Sequence, residues 1–187
     1  MPHLSLPVRT ERLLLRPFRL DDVDATLAYR GDPTVARFIP REAWTREQTQ
    51  DRVREYLGRT SITGSSSVLS LAVESEGRMV GDVVLWPLDD SLTRGEAGWA
   101  FHPDVAGRGY ATEAVTALFG LAFGPLRMHR VTANVDARNT ASWRLCERLG
   151  MTREGLLRRD LPAKDGWADR LVYGLLAEDW LDREAGS

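Results

Sequence analysis

Two glycines flank an arginine at Gly107-Arg108-Gly109, immediately before a segment with helical periodicity, residues 110–123. Residues 96–101 are typical of a short strand, so the order is strand, glycine turn, helix. In this order the first amides of the helix and the positive end of its dipole face one spot, which suits a phosphate. The glycines allow a positive φ and a close backbone approach to a ligand. Arg108 adds a fixed positive charge with forked donors.

Glycine turns of this kind serve several purposes, and the turn by itself leaves more than one open. A P-loop requires Gly-Lys followed by Ser or Thr, whereas Arg108 here precedes Gly109-Tyr110, which excludes it. A dinucleotide-binding turn remains a weak rival, because a second strand ends at the acidic Asp136. Its third glycine position holds Thr112, where close helix packing favours Gly or Ala. A purely structural tight turn is the third interpretation.

Length and composition are those of a single globular domain spanning residues 1–187, with 43% hydrophobic and 28% charged residues. The net charge of −2 argues against a polyanion-binding surface, so no nucleic-acid partner is expected. The single cysteine, Cys146, excludes an intrachain disulfide and is compatible with a reducing cytoplasm. No apolar run of about 20 residues and no signal peptide are visible, so we expect a cytoplasmic protein without a membrane partner.

The periodicity of the chain predicts an α+β fold in one domain. Seven segments have the character of strands: residues 10–18, 68–74, 79–85, 96–101, 130–135, 151–158 and 171–176. Four segments have the character of helices: residues 21–29, 45–57, 110–123 and 140–149. Asp21 and the capping box Thr45-x-x-Gln48 mark the first two helix starts. Residues 86–94 and 160–168 are predicted to be loops, and the strand–helix–strand crossover predicts two parallel strands.

Residues 96–151 resemble the GNAT superfamily of acyl-CoA-dependent N-acetyltransferases. Two motifs in the right order carry the resemblance: Gly-Arg-Gly-Tyr-Ala-Thr-Glu-Ala at 107–114, and Asn-Thr-Ala-Ser at 139–142 followed by Leu-Cys-Glu-Arg-Leu-Gly-Met at 145–151. The remainder is similar to the branch of Rim-type ribosomal-protein N-terminal acetyltransferases. That branch opens on Thr-Glu-Arg-Leu-x-Leu-Arg, here residues 10–16, and its closing pattern appears as Trp167, Asp169, Tyr173, Glu178 and Trp180.

The resemblance covers nearly the whole chain and implies a mixed, mostly antiparallel sheet of about seven strands. It also implies helices on both faces of that sheet and a parallel strand pair that splays apart. Acetyl-CoA is the implied cosubstrate, without a metal. Its diphosphate would lie on the backbone amides of Gly107, Arg108, Gly109, Tyr110 and Ala111, with Arg108 helping to neutralise it.

The same resemblance assigns the pantetheine arm to the gap between the strands ending at Phe101 and Val135. Backbone groups near Ala100 and Phe101 would bond the arm and polarise the thioester carbonyl, and Asn139 would bond the arm from the other side. From the residues alone, Asn139 is equally well a helix cap.

The chain departs from the family pattern at two positions. Asp104 stands where a Gln or Arg often precedes the first glycine, and Cys146 stands where many members carry a tyrosine general acid. Cys146 has no base nearby in sequence and is predicted to be a small core residue. Ser142, one turn earlier, is the proton donor that we expect for the leaving thiolate.

A carboxylate with a raised pKa could deprotonate the acceptor amine, directly or through water, and Glu96 is our candidate. The alternative for Glu96 is a solvated charge at a strand edge. We expect a primary amine as acceptor, foremost a protein N-terminal α-amino group. A small amine or amino-sugar antibiotic, and a non-catalytic acyl-CoA-binding module, are the alternatives.

The predicted loops 86–94 and 160–168 are the expected walls of the acceptor site. The three histidines, His3, His102 and His129, lack the spacing of metal ligands, so no metal is expected. Homodimers recur among similar proteins, although nothing in the residues requires one.

Overall fold

A computed structural model describes residues 4–38 and 42–185, so His3 lies outside the described residues. The strands are β1 (Val8–Arg9), β2 (Leu14–Arg16), β3 (Leu69–Ser75), β4 (Arg78–Pro87), β5 (Arg94–Phe101), β6 (Arg130–Asp136), β7 (Thr152–Ala163) and β8 (Gly166–Leu176). The helices are α1 (Val23–Arg30), α2 (Pro33–Ala36), α3 (Arg46–Leu57), α4 (Tyr110–Phe123), α5 (Thr140–Arg148) and α6 (Ala177–Ala185). None of these described helices combines the length and the apolar character that crossing a bilayer requires.

The strands form one sheet in the order β1-β2-β3-β4-β5-β6-β8-β7. Among the described strands, β5 and β6 are the one parallel pair, as the crossover through α4 predicts. Their pairing is short, running from Arg94 opposite Arg130 to Glu96 opposite Thr132. Beyond it, β5 continues along β4 to Phe101 and β6 continues along β8 to Asp136. The two strands therefore splay apart, which confirms the expected fold class with eight strands instead of about seven.

Apolar side chains cover both faces of the sheet. In β3, Leu71 and Val73 belong to the large cluster that includes α4 and α5, whereas Ala72 between them belongs to a second cluster with Tyr29 of α1 and Val53 of α3. Because successive side chains of a strand point to opposite faces, α4 and α5 lie on one face and α1 and α3 on the other.

Several local signals in the sequence are confirmed. The capping box of α3 is formed, because the Thr45 hydroxyl accepts the Gln48 N–H at 3.2 Å and the Gln48 side chain accepts the Thr45 N–H at 3.0 Å. Glu76 and Gly77 turn the β3–β4 hairpin with φ of 50° and 77°, the left-handed pair of a tight hairpin turn. Helix α4 has the predicted bounds.

The prediction of a loop at residues 160–168 is wrong. Strands β7 and β8 pair as far as Ala163 opposite Gly166, so only Lys164 and Asp165 form the turn. Strand β7 is the edge of the sheet and is exposed along most of its length. An edge strand of this kind needs no apolar alternation and tolerates Pro162, which is why the sequence pattern is that of a loop.

Other boundaries also differ from the predictions. The first predicted strand, residues 10–18, is shorter in the structure, where β2 covers only Leu14–Arg16. Thr10 precedes β2 and its hydroxyl donates to Glu113 of α4. A short 3-10 turn, Leu20–Asp22, precedes α1, and the buried Asp22, not Asp21, accepts the Arg19 N–H at 2.7 Å. Helix α6 is not predicted by the sequence pattern because it follows β8 directly, with neither a loop nor a cap residue to mark its start.

A buried polar cluster attaches α1 to the sheet. Asp82 of β4 is 4% exposed, accepts the hydroxyl of Tyr29 and pairs with the Arg30 guanidinium. A buried carboxylate is costly unless it is paired and hydrogen-bonded, so these contacts fix where α1 ends. Helix α2 begins three residues after Arg30, and Asp82 lies opposite Ala100 in β5. The cluster therefore positions α2 next to the carboxyl end of β5.

We expect Trp180→Ala to lower the free energy of unfolding by about 3–5 kcal/mol, the usual cost of truncating a large core aromatic. Trp180 of α6 is 9% exposed, and its ring centroid lies 5.9 Å from that of Phe119 and 5.8 Å from that of Phe123. The adjacent Leu181 is 61% exposed, so Leu181→Ala is the control, with a change within about 0.5 kcal/mol. Equal losses in denaturant titrations would show that α6 is not anchored by Trp180.

Candidate active site

A cavity of about 950 Å³ opens at the carboxyl end of β5. Three segments supply most of its wall, two of them consecutive in sequence and the third farther along the chain. They are the end of β5 with His102, the glycine turn with the first turn of α4, and the start of α5. Of the site residues predicted from sequence, the lining includes Ala100, Phe101, Gly107, Gly109, Tyr110, Ala111, Asn139 and Ser142. The fold thus brings eight of these positions to one cavity.

The splayed strands leave backbone groups of β5 without a strand partner. The N–H of His102 donates to Val80 and the N–H of Leu88 to the carbonyl of Arg94, so the even-numbered residues of β5 bond to β4. By alternation, the backbone groups of Trp99 and Phe101 face the gap beyond the last β5–β6 pair. Phe101 therefore presents backbone to the gap as expected, whereas Ala100 lines the cavity but its backbone faces β4.

The glycine turn has the geometry that its sequence predicts. Gly107 and Gly109 have φ of 77° and 79°, a left-handed conformation that side chains rarely adopt. Gly109 is the N-cap residue of α4, so the amides of the first helical turn have no acceptor within the helix. These amides and the positive end of the α4 dipole lie at the cavity, an arrangement that suits an anion. Arg108 is exposed and does not belong to the residues that line the cavity.

Asn139 is a helix cap, as one of its two interpretations predicts, and its contact with the pantetheine arm stays a prediction. Its side-chain oxygen caps α5 by accepting the Ser142 N–H at 3.2 Å, and the residue also lines the cavity. Because the oxygen is engaged, the amide NH₂ is the part that can donate to a ligand. Ser142 is half-buried in the same wall.

Cys146 is a core residue, as predicted. It is 0% exposed within the cluster that holds Leu145 and Leu149, and burial raises the pKa of its thiol to about 12. A neutral thiol without access to the cavity has no acid role there. Asp104 is exposed, with its carboxylate 3.6 Å from the Arg78 guanidinium and 3.4 Å from His102 Nδ1. Arg78 thereby offsets the acidic charge at the position where the family often carries Gln or Arg.

Glu96 is half-buried and lies outside the cavity lining. Burial raises the pKa of its carboxyl, although a hydrogen bond from Asn134 and the charge of Arg170 oppose the shift. Along an extended strand, Glu96 is about 13 Å from Ala100. Both side chains point to the face of the sheet that carries α1 and α3, opposite to α4. Glu96 belongs to the last β5–β6 pair, where the two strands begin to separate.

Several residues of the cavity wall had no recognised role in the sequence. Arg12 belongs to the Thr-Glu-Arg-Leu pattern, yet only the fold brings it against the glycine turn. His102 follows β5 directly, and its Nδ1 accepts the Asp104 N–H at 3.2 Å. Thr34, Val35 and Phe38 line the end of the cavity nearest α2. The described lining includes no residue of the predicted acceptor walls 86–94 and 160–168.

The sequence matches known acetyltransferases over most of its length. Residues 12–152 match the family described as acetyltransferase (GNAT) domain. An uncharacterized N-acetyltransferase of Bacillus subtilis, YnaD, is 30% identical over 173 residues, which covers 92% of this chain and 98% of the relative. The crystal structure of a GNAT-family acetyltransferase from Bacillus anthracis superimposes with a TM-score of 0.83 at 31% identity, covering 92% of this chain and 99% of that one.

More distant structures share the fold. RimJ from Mycobacterium smegmatis, in complex with CoA-disulfide, has a TM-score of 0.74 at 24% identity, covering 89% of this chain and 83% of that one. A spermidine N-acetyltransferase from Vibrio cholerae, in complex with CoA and spermine, has a TM-score of 0.78 at 17% identity, covering 92% and 99%. With its splayed sheet, its glycine turn and these matches, the chain belongs to the GNAT acetyltransferase family.

Proposed function

We propose that the protein transfers the acetyl group of acetyl-CoA to the α-amino group of a protein N-terminus. The observation that carries the proposal is one continuous cavity. It contains an anion site at the start of α4, a strand gap with free backbone groups and a less polar end at α2. These three parts match, in order, the diphosphate, the extended pantetheine arm and an acceptor.

In the proposed complex the diphosphate lies on the backbone amides between Gly107 and Ala111, where helix dipole and amides act together. The pantetheine arm is extended and occupies the gap like an added strand, bonding to backbone groups that β6 leaves free. The amide NH₂ of Asn139 donates to the arm from the α5 side. Arg108 contributes to phosphate neutralisation from the rim, because its side chain is exposed.

The wall chemistry favours an N-terminal amine over a polyamine. Among the described residues that line the cavity, the one carboxylate is Glu113, and Arg12 pairs with it at 2.7 Å. A polyamine carries several positive charges and would find no free counter-charge there. A peptide N-terminus carries a single amine, whose pKa of about 7.7–8.0 is far below the value of about 10.4 for a lysine side chain. Val35 and Phe38 offer apolar contacts to its first side chain.

Chemistry on the acetyl group requires one proton to leave the amine and one to reach the CoA sulfur. We assign the first to Glu96 acting through water, since this carboxyl lies outside the cavity and burial raises its pKa. Ser142 is the proposed donor to the thiolate. The oxyanion of the tetrahedral intermediate is stabilised by backbone donors at the end of β5, a contribution that commonly outweighs the acid.

An acceptor screen tests the function directly. With acetyl-CoA supplied, we expect turnover of short peptides with free N-termini and much slower turnover of the same peptides with blocked N-termini, of spermidine and of amino-sugar antibiotics. Release of the CoA thiol and the mass of the product give the readout. Preferred turnover of a small amine would replace the acceptor in the proposal, and CoA binding without turnover of any acceptor would favour a non-catalytic module.

The glycine turn is tested by Gly109→Ala. Alanine at a φ of 79° costs about 1–2 kcal/mol. The free turn can relax to relieve this strain, whereas the bound turn cannot, so the dissociation constant for CoA is expected to rise about 5- to 30-fold, measured by calorimetry. Gly58→Ala is the matched control, because Gly58 has a φ of −87° at the end of α3 and open space around its Cα. A dissociation constant that is the same in both variants would separate the turn from CoA binding.

The base is tested by the pH profile of Glu96→Gln. Because only the carboxylate accepts a proton, kcat/KM of the wild type should fall as the pH drops through the raised pKa of Glu96. With kcat/KM expressed per unprotonated amine, so that the titration of the acceptor itself is removed, the variant should lose this acidic limb and about 10²–10⁴-fold in kcat/KM. Ser142→Ala should cost less, since CoA thiolate leaves readily. His102→Gln is the comparison: an acidic limb that disappears in this variant but persists in Glu96→Gln would move the role to His102.

A further inference from the structure

Glu113 places a carboxylate where the proposed cofactor needs positive potential. It lies in the first turns of α4, lines the cavity, and its backbone N–H bonds to Gly109 at 3.1 Å. An acidic group at this end of a helix is favourable for the helix itself. The same charge repels a diphosphate bound at the same amides, so a compensating group is required.

Arg12 and Thr10, near the start of the chain, contact both oxygens of this carboxylate. One oxygen accepts the Thr10 hydroxyl at 2.6 Å and the Arg12 N–H at 2.8 Å. The other oxygen accepts a hydrogen bond from Nε of the Arg12 guanidinium at 2.7 Å and lies 2.7 Å from its Nη2. Burial alone would raise the pKa of Glu113, but these hydrogen bonds outweigh it and lower the pKa, so the carboxyl stays ionised and paired.

The same guanidinium contacts the glycine turn itself. Its Nη1 donates to the carbonyl of Arg108 at 2.9 Å, and its carbon lies 5.0 Å from the ring centroid of Tyr110. A β-carbon at Gly109 would come within 3.3 Å of Nη2. The planar fork holds the carboxylate through Nε and Nη2 and the carbonyl through Nη1, a fixed two-point geometry that a lysine ammonium does not reproduce.

We propose that Arg12 is a positioning residue for the cofactor: it neutralises Glu113 and holds the turn from Arg108 to Tyr110 so that the α4 amides accept phosphate. This role rests on the proposed binding of CoA at that turn. It makes the β1–β2 connection, about a hundred residues away in sequence, part of the cofactor site. Arg12 acts through Glu113 and the turn, and not as a ligand of the phosphates.

A double-substitution cycle tests this role. In calorimetric titrations with CoA, Arg12→Gln is expected to raise the dissociation constant about 10- to 100-fold. In the acetyl-transfer assay at saturating acetyl-CoA, its kcat should stay within about threefold of the wild type. Adding Glu113→Gln should restore the dissociation constant to within about fivefold, because the uncompensated charge is gone. Glu113→Gln alone should tighten binding slightly, and Arg12→Lys should fall between wild type and Arg12→Gln. The Arg12→Gln effect should shrink at high salt.

Arg54→Gln is the control, since Arg54 pairs with Asp51 at 2.9 Å on the surface of α3, with 63% of its side chain exposed. A double variant as weak as Arg12→Gln would make Arg12 a direct phosphate ligand and overturn the proposal, as would wild-type affinity in Arg12→Gln. If Arg12→Gln does not fold, the comparison of Arg12→Lys with the double variant decides in the same way. Failure of the wild type to bind CoA would refute the proposed function as well, whereas the other outcomes leave it standing.

Discussion

The separation of β5 from β6 is the constraint on which the rest of the structure depends. The two strands pair over three residues each and then follow different neighbours, β5 along β4 and β6 along β8. A twisted sheet that opens in its middle leaves backbone groups unpaired, and buried backbone groups need partners. The gap is therefore a place for an extended ligand, and α4 and α5 begin on either side of it.

The two helices that flank the gap both begin beside it, but the residues at their starts offer different hydrogen-bonding groups. Helix α4 begins on a left-handed glycine and offers bare amides, whereas α5 begins on Asn139, whose side chain caps one amide and keeps an NH₂ group free. Arg108 is at the rim, and the carboxylate in the wall is already paired. An anion site of this kind relies on oriented backbone dipoles as well as on charged side chains.

The sheet divides the site into two sides. The glycine turn belongs to the side of α4, whereas Glu96, Ala100 and the buried Asp82 cluster face α1 and α3. The cavity joins these sides around the carboxyl end of β5, where His102, Thr34 and Val35 meet. The Asp82 cluster therefore shapes the α2 end of the cavity without lining it, because it fixes the end of α1, after which α2 begins.

Local signals in the sequence determined the helices α3 and α4, the β3–β4 hairpin and the glycine turn, because each depends on residues within one or two turns, and the strand–helix–strand order predicted the parallel pair. They also identified most of one cavity wall, since Gly107, Gly109, Asn139 and Ser142 lie in two short motifs. The β7–β8 hairpin and α6 were decided by tertiary contacts, through edge pairing and the stacking of Trp180 on Phe119 and Phe123. The placement of Arg12 on the glycine turn, of Val35 at the α2 end of the cavity and of Glu96 outside the cavity was likewise decided by the fold, because only the strand order sets which distant residues meet.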